Sequence, residues 1–101
     1  MSRPSLLTPE ERAEALAARP LWALVDGGGA IHRTLRFADF DEAWDFMAVV
    51  AEAARRLDHH PDWRNVWARV EVTLSTHEAG GLTALDLALA DVIDDAAARG
   101  A

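Results

Sequence analysis

The hydrophobic pattern of the chain changes period several times, and each change marks a predicted element. Residues 21–26 (LWALVD) and 30–37 (AIHRTLRF) are two apolar runs on either side of Gly27-Gly28-Gly29, and the second run alternates between apolar and polar residues. Two such runs across a glycine-rich connection predict a β-hairpin. Residues 65–76 (NVWARVEVTLST) alternate again. They form either one long strand or two short strands with a tight turn near Ala68-Arg69.

Two capping boxes predict the first and the last helix. Thr8-Pro9-Glu10-Glu11 combines an N-cap, a proline at the first helical position and the glutamate of a capping box. A short helix should therefore run to about Ala18 and end before Pro20. Thr83-Ala84-Leu85-Asp86 repeats the box after two glycines. The helix that it begins should continue to Gly100.

A longer helix, capped by Asp39 or Asp41, is predicted to run to about Leu57. Two apolar rows follow it: one contains Phe40, Trp44, Met47 and Ala51, and the other contains Phe46, Val50, Ala53 and Leu57. A helix that is apolar on two sides must bury both, and a single-layer sheet covers only one. We therefore expect the second row to contact another copy of the chain, and we expect the row with Phe46 and Val50 to face outward. The alternative is a helix enclosed within its own monomer.

The predicted order of helix, hairpin, helix, strands and helix indicates an α+β fold, with helices layered on one face of an antiparallel sheet. The chain has 101 residues, a length typical of one domain with one modest core. No repeat, linker or low-complexity segment interrupts it, so we expect a single domain over residues 1–101.

Composition and charge exclude several classes of function. The formal net charge is −7 and all ten basic residues are arginines, which argues against a nucleic-acid-binding surface. Without cysteine there is no disulfide framework, thiolate nucleophile or Cys-based zinc site. No apolar run reaches the ~18 residues of a membrane span, and the N-terminal residues lack a secretion signal. We expect a cytoplasmic protein without a membrane or nucleic-acid partner.

Titratable side chains stand beside the predicted ends of three elements. His59 and His60 come directly before Pro61, which keeps the preceding residue out of the helical conformation. His77 follows the last strand, and Asp86 lies in the first turn of the last helix. Sites are often built at element ends beside loops, and histidine suits proton transfer at neutral pH.

Each of these residues also has a purely structural interpretation. A protonated histidine pair complements the negative end of a helix dipole, His77 can be an exposed loop residue, and Asp86 can serve only its capping box. Three histidines and an aspartate also suggest zinc, but the spacing fits no ligand pattern, so no metal is expected. Trp63 and Trp67 are either core residues or walls of an aromatic-binding cleft. His32, alone on the hairpin, has no expected role.

A longer pattern connects the polar residues. A charged residue is followed after three positions by His-His-Pro, then at fixed spacings by an aromatic residue, a histidine and an aspartate. The seven positions are Arg55, His59, His60, Pro61, Trp67, His77 and Asp86. Together with LDHHPDW, NVWARVEVTLSTHEAGGLT and RFADFDEAWDFM, this pattern resembles the pterin-4a-carbinolamine dehydratase family over nearly the whole chain. The family often has a titratable residue at position 55, whereas an arginine cannot exchange protons, so Arg55 is left out of the catalytic set.

The resemblance implies a fold and a reaction. The fold is a two-layer α+β structure of order β-β-α-β-β-α with an extra N-terminal helix, a four-stranded antiparallel sheet and helices on one face, which favours two strands over residues 65–76. The reaction is the dehydration of a 4a-hydroxytetrahydropterin to the quinonoid dihydropterin, a step of tetrahydrobiopterin recycling. The pterin is the substrate, and histidine acid–base chemistry requires no metal or other cofactor.

The resemblance also implies roles for individual residues. His60 is expected to grip and deprotonate the pterin, while His59 and His77 act as acid and base at the 4a-hydroxyl. Asp86 is expected to hold one imidazole in its tautomer, which completes the catalytic set. The substrate-binding set contains the three histidines and five further residues: Pro61, Trp63, Thr76, Glu78 and Ala79.

The partners implied by the resemblance are a pterin, further copies of the chain and a metabolic neighbour. Relatives pack the helix predicted over 39–57 against its copies, so we expect a homodimer or homotetramer. A functional link to an aromatic amino acid hydroxylase is expected, since such an enzyme forms the substrate. The alternative is a non-enzymatic role, in which the same fold serves as a dimerisation or assembly cofactor.

Overall fold

The computed structural model of the chain describes residues 4–99, which form one sheet and three helices. The elements are α1 (Pro9–Ala17), β1 (Ala23–Val25), β2 (Ala30–Arg36), α2 (Phe40–Leu57), β3 (Asp62–Val66), β4 (Arg69–Leu74) and α3 (Ala84–Ala98). All strand pairs are antiparallel, in the order β1-β2-β4-β3. This confirms the predicted α+β fold and its element order. The predicted end of the last helix, Gly100, lies outside the described residues.

The sheet has one covered face and one open face. On β4, Val70, Val72 and Leu74 are fully buried, while the alternating residues Glu71 and Thr73 are only partly buried. The buried residues join α2 and α3 in one hydrophobic core. The opposite side of the sheet, here called the open face, carries polar side chains because successive residues of a strand point to opposite faces.

The segment after Pro61 forms two strands, as the resemblance implied. β3 begins at Asp62, three residues before the predicted start, and pairs with β4 from Asp62↔Thr73 to Val66↔Arg69. Trp67 has φ 50° in the connecting turn, where the chain reverses. The alternation over residues 65–76 would place Val66 on the same face as Val70 in one continuous strand, but the reversal leaves Val66 opposite Arg69 and 43% exposed.

Helix α2 begins at the Asp39 cap, and its orientation corrects an expectation. Phe46 and Val50 are fully buried in the core, so the row that contains them faces inward rather than outward. The row that remains accessible includes Phe40 and Trp44, which are 42% and 58% exposed. Their rings stack with centroids 6.1 Å apart. The prediction of two apolar rows holds, but the choice between them was wrong.

Asp94 on α3 anchors the hairpin to the helical layer. Its Oδ1 accepts hydrogen bonds from Trp22 Nε1, at 2.9 Å, and from Arg33 Nη1. Nearby, Arg19 makes a two-point contact with Asp91 at 2.9 and 3.0 Å. Helix α3, which carries the second capping box, is thereby fixed relative to the sheet. Within residues 4–99, no helix combines the length and hydrophobicity needed to cross a membrane.

Candidate active site

The end of α2 separates the two adjacent histidines. Asp58 adopts the left-handed conformation with φ 50° and ψ 43°. Its N–H donates to the Arg55 carbonyl at 3.2 Å, and the His59 N–H donates to the Ala54 carbonyl at 3.1 Å. These two bonds form a Schellman motif, which reverses the chain direction at a helix end. As a result His59 is buried with 8% of its surface exposed, while His60 is exposed.

The buried His59 ring meets a buried carboxylate. His59 Nε2 lies 2.6 Å from Asp86 Oδ1, and Asp86 is completely buried. The other oxygen, Oδ2, accepts the Thr83 N–H at 2.9 Å and the Thr76 hydroxyl at 2.8 Å. The first of these bonds belongs to the capping box of α3. Asp86 is therefore both the carboxylate of the capping box and the hydrogen-bond partner of His59, so its structural and its functional interpretation are compatible.

With an ionised Asp86, the hydrogen-bond network assigns a position to each proton. The Thr76 hydroxyl has one proton and donates it to Asp86, so in the 2.8 Å contact between Thr76 Oγ1 and Thr83 Oγ1 the donor is Thr83. A carboxylate without a proton accepts at both oxygens, and Oδ1 then takes the Nε2–H of His59. Because Nε2 is engaged with Asp86, Nδ1 is the ring nitrogen of His59 that has no hydrogen-bond partner within residues 4–99.

His77 is presented by the loop between β4 and α3. Residues His77–Ala79 form a single turn of 3₁₀-helix, closed by the bridge between Thr76 and Gly81. Gly80 has φ 82°, a conformation that favours glycine. The turn leaves His77 exposed while its neighbour Thr76 is buried in the Asp86 network.

Two adjoining cavities meet at the histidines. The larger, about 320 Å³, and the smaller, about 150 Å³, share His60, Ser75 and His77 in their linings. The smaller cavity also contacts His59, Asp58 and Glu78. The larger one continues over the open face and is completed by Asp26, Gly29, Ala30, Asp62, Thr73 and Gly80. All three candidate histidines therefore border one continuous depression.

The structure brings together some of the residues predicted to bind substrate and separates others. Glu78 lines the smaller cavity, and Thr76 lies behind it in the Asp86 network. Pro61, Trp63 and Ala79 are absent from both linings as residues 4–99 form them. Trp63 is instead partly buried against the hydrophobic core, on the covered face of the sheet opposite Val72.

Sequence reasoning missed several lining residues. Ser75 and Thr73 share the open face because they alternate with the buried residues of β4, and the period-two pattern of 65–76 contained this signal. Asp58 stands beside the histidine pair, so its position also pointed to it. Asp26 and Asp62 are separated by 35 intervening residues, and only the sheet topology brings them to one cavity.

Two further residues were left out of the catalytic set. The Arg55 side chain is 77% exposed and contacts Glu52 at 3.0 Å, one turn before the site. His32 lies on the open face, with Nδ1 2.9 Å from the Thr73 hydroxyl. Within the described part of the chain, no three histidine or acidic side chains are grouped as metal ligands would be; metal content stays a prediction.

Comparison with known proteins decides the family. A model of the family "Pterin 4 alpha carbinolamine dehydratase" matches residues 5–96. The chain belongs to the pterin-4a-carbinolamine dehydratase family. A provisionally named pterin-4-alpha-carbinolamine dehydratase of Burkholderia lata is 55% identical over 93 residues, which cover 92% of this chain and 91% of the relative. One of Afipia carboxidovorans, with the same provisional name, is 53% identical over 94 residues, with 93% and 94% covered.

A solved structure of the family shares the fold. The crystal structure of a transcriptional coactivator/pterin dehydratase from Brucella melitensis superposes with a TM-score of 0.87 and is 47% identical. The match covers 90% of this chain and 97% of that one. The sequence resemblance to the pterin-4a-carbinolamine dehydratase family and the fold that it implied are thereby confirmed.

Proposed function

We propose that the protein dehydrates a 4a-hydroxytetrahydropterin to the quinonoid dihydropterin by histidine acid–base catalysis. The observation that carries this proposal is the buried pair of His59 and Asp86, 2.6 Å apart, at a cavity that two further histidines line. Family membership supports the reaction class. The pterin is the substrate, and the residues at the site supply proton transfer without a metal or other cofactor.

The reaction needs one proton donor and one proton acceptor. As the bond between C4a and the hydroxyl oxygen breaks, an acid delivers a proton to that oxygen and water leaves. As the C4a–N5 double bond forms, a base removes the proton from N5. No electrons are gained or lost. A positioned side chain contributes ~10²–10⁴-fold to each such transfer.

We assign the acid–base work at the hydroxyl to His59 and His77, and the grip on the pterin and its deprotonation to His60. Asp86 holds His59 with Nδ1 toward the substrate and balances the positive charge when that ring carries two protons. His60 and His77 are exposed and border both cavities, so a pterin in this depression can contact both.

The test is the rate of dehydration, followed by ultraviolet absorbance on a 4a-hydroxytetrahydropterin generated in the cuvette. His77→Ala should slow the reaction by about 10²-fold or more. For the buried position we choose His59→Gln, because an amide can still donate to Asp86 and the carboxylate is not left unpaired. His32→Ala is the matched control and should retain the wild-type rate. Wild-type rates in both site variants would overturn the assignment.

The substrate suggests a metabolic neighbour. A 4a-hydroxytetrahydropterin forms when an aromatic amino acid hydroxylase oxidises its tetrahydropterin, so we propose that this protein acts after such an enzyme in tetrahydrobiopterin recycling. A coupled assay tests the link: hydroxylase turnover with limiting pterin and a quinonoid dihydropterin reductase should rise when the protein is added. Unchanged turnover with an active dehydratase would contradict it.

We also propose that the protein is a homodimer or homotetramer built through α2. The row that includes Phe40 and Trp44 stays accessible in the monomer, and burying a large apolar side chain stabilises a complex by roughly 1.5–3 kcal/mol. A two-fold contact between identical helices buries such a row on both copies.

Light scattering distinguishes this interface from other faces of the helix. Trp44→Glu should dissociate the oligomer at micromolar concentration. Val49→Glu is the matched control. Val49 is likewise an exposed apolar residue of α2, with 49% of its surface accessible, but it lies more than a quarter turn around the helix axis from the aromatic row. A wild-type monomer of 11.0 kDa, or equal effects of the two substitutions, would contradict the proposal.

A binding role without catalysis is the second candidate. The Brucella structure is described as a transcriptional coactivator as well as a dehydratase, and exposed aromatic residues on α2 offer a surface for protein contacts. The dehydration assay separates the two functions. A folded wild-type protein that leaves the 4a-hydroxypterin unchanged would favour a dimerisation or assembly cofactor.

A further inference from the structure

The larger cavity crosses the sheet from one edge to the other. Asp26 follows β1 directly, and Asp62 begins β3. In the order β1-β2-β4-β3 these strands are the two edges, three strand spacings or roughly 14 Å apart. The two carboxylates therefore stand on opposite sides of the cavity rather than in one cluster.

Both carboxylates are available to a ligand. Asp26 and Asp62 are exposed, and neither side chain has a hydrogen-bond or ionic partner within residues 4–99. In the described chain no arginine lines either cavity, while Asp58 and Glu78 add negative charge to the smaller one. The histidines are therefore the only side chains in these linings that can carry a positive charge.

We propose, on the basis of the dehydratase function above, that Asp26 and Asp62 determine specificity for the substituent on C6 of the pterin. Ionised carboxylates accept hydrogen bonds and donate none. They suit a substituent that carries hydroxyl groups and no charge. A substituent that carries a carboxylate meets the like charges of Asp26 and Asp62, with no arginine among the described lining residues to offset them, and such juxtaposition disfavours binding.

The position of the substituent follows from the chemistry. The reacting bond joins C4a to N5, and C6 is bonded to N5. With this bond held by the three histidines, a substituent on C6 leaves the ring beside His60 and His77. Those residues border the larger cavity, whose lining continues from them across the open face toward Asp26. The substituent thus enters the cavity that the two carboxylates flank.

The test compares two stable ligands of nearly equal size. Binding of 6-hydroxymethylpterin and pterin-6-carboxylate is measured by fluorescence titration with the wild-type protein and with the double variant Asp26→Asn/Asp62→Asn. One unit charge near two others at a protein surface changes affinity by about tenfold. The wild-type protein should therefore bind 6-hydroxymethylpterin about tenfold more tightly than pterin-6-carboxylate. In the double variant the ratio of the two dissociation constants should be close to one. Added salt should lower this affinity ratio in the wild-type protein, because it screens the interaction between the charges.

Asp41→Asn/Asp45→Asn is the matched control, because it also removes two carboxylate charges, from exposed positions of α2, and it should leave the affinity ratio unchanged. Equal wild-type affinities for the two ligands would overturn the inference. So would a double variant that weakens both ligands equally, since the carboxylates would then hold the ring rather than its substituent. Discrimination between the ligands without any dehydration would instead refute the proposed activity, so the two failures are distinguishable.

Discussion

Replacing Asp86 with asparagine tests whether the buried carboxylate sets the proton position of His59. The substitution keeps the shape of the side chain but replaces one acceptor oxygen with an NH₂ donor. The backbone N–H of Thr83, 2.9 Å from Oδ2, can only donate, so the amide oxygen must stay on that side. The NH₂ group then faces His59 Nε2, which lies 2.6 Å from the present Oδ1.

The consequence is a change of tautomer. To accept a hydrogen bond from the new amide, Nε2 must lose its proton, and the neutral ring then carries its proton on Nδ1. The nitrogen that faces the substrate then holds the only proton of a neutral ring, which is a far weaker acid than the doubly protonated ring that Asp86 stabilises. His59 can therefore neither accept a proton there nor readily deliver one to the hydroxyl. In a Ser-His-Asp triad the same exchange lowers kcat by ~10⁴, and for one proton transfer among three histidines we expect a loss of ~10²–10⁴.

The effect on stability should be smaller. The two bonds to Thr76 and Thr83 persist, but bonds to a charged acceptor, each contributing roughly 1.5–3 kcal/mol, become bonds to a neutral one, each contributing roughly 0.5–1.5 kcal/mol. For the two bonds together, a cost of about 2–3 kcal/mol corresponds to a fall in Tm of about 8–24 °C for a domain of this size. The variant should remain folded at 25 °C while its rate collapses.

The measurements are the dehydration rate, the Tm and the ¹⁵N shifts of the His59 ring, which report the tautomer directly. Glu11→Gln is the matched control, because Glu11 holds the same position in the capping box of α1, is exposed and lines neither cavity. It should leave both the rate and the His59 spectrum unchanged. If Asp86→Asn keeps the rate within a few-fold, or His59 keeps its proton on Nε2, the tautomer argument is refuted.

Three further outcomes follow from the fold and the site. Phe46→Ala should lower the free energy of unfolding by about 3–5 kcal/mol in urea, since Phe46 is fully buried; a cost below about 1 kcal/mol would contradict its inward orientation. Arg55→Gln should change the rate by less than about twofold, because its contact with Glu52 is an exposed pair. Chelators should leave dehydration intact, and elemental analysis that found one tightly bound ion per chain would restore a metal interpretation.

Local signals in the sequence predicted the elements well. The capping boxes at Thr8 and Thr83 mark the helix starts, because each depends on residues three positions apart. The period-two pattern predicted the strands because it also depends only on residues that are close together in the sequence. The residues over 65–76 left open whether the chain forms one strand or two. The turn lies at Trp67, which has φ 50°, and tryptophan is not a residue type that usually marks a turn.

The sequence did not predict contacts between residues that are far apart along the chain. Both rows of α2 contain large apolar residues, so composition could not tell which row meets the sheet. The answer depends on packing against β4 and α3, which places Phe46 and Val50 inside and leaves Trp44 accessible. The same limit applies to Asp26 and Asp62, whose shared cavity depends on the strand order.

The adjacent histidines show how a single backbone conformation creates two chemical environments. On a continuing helix, His59 and His60 would differ by about 100° in direction and would share the exposure of a helix end. The left-handed Asp58 instead turns the chain, so that one imidazole meets the buried Asp86 at 2.6 Å and the next stays exposed. The proposed dehydration protonates the hydroxyl oxygen and deprotonates N5, and it can use one group with a fixed tautomer together with another that adjusts to the pterin. A pair of neighbours on either side of this reversal supplies both.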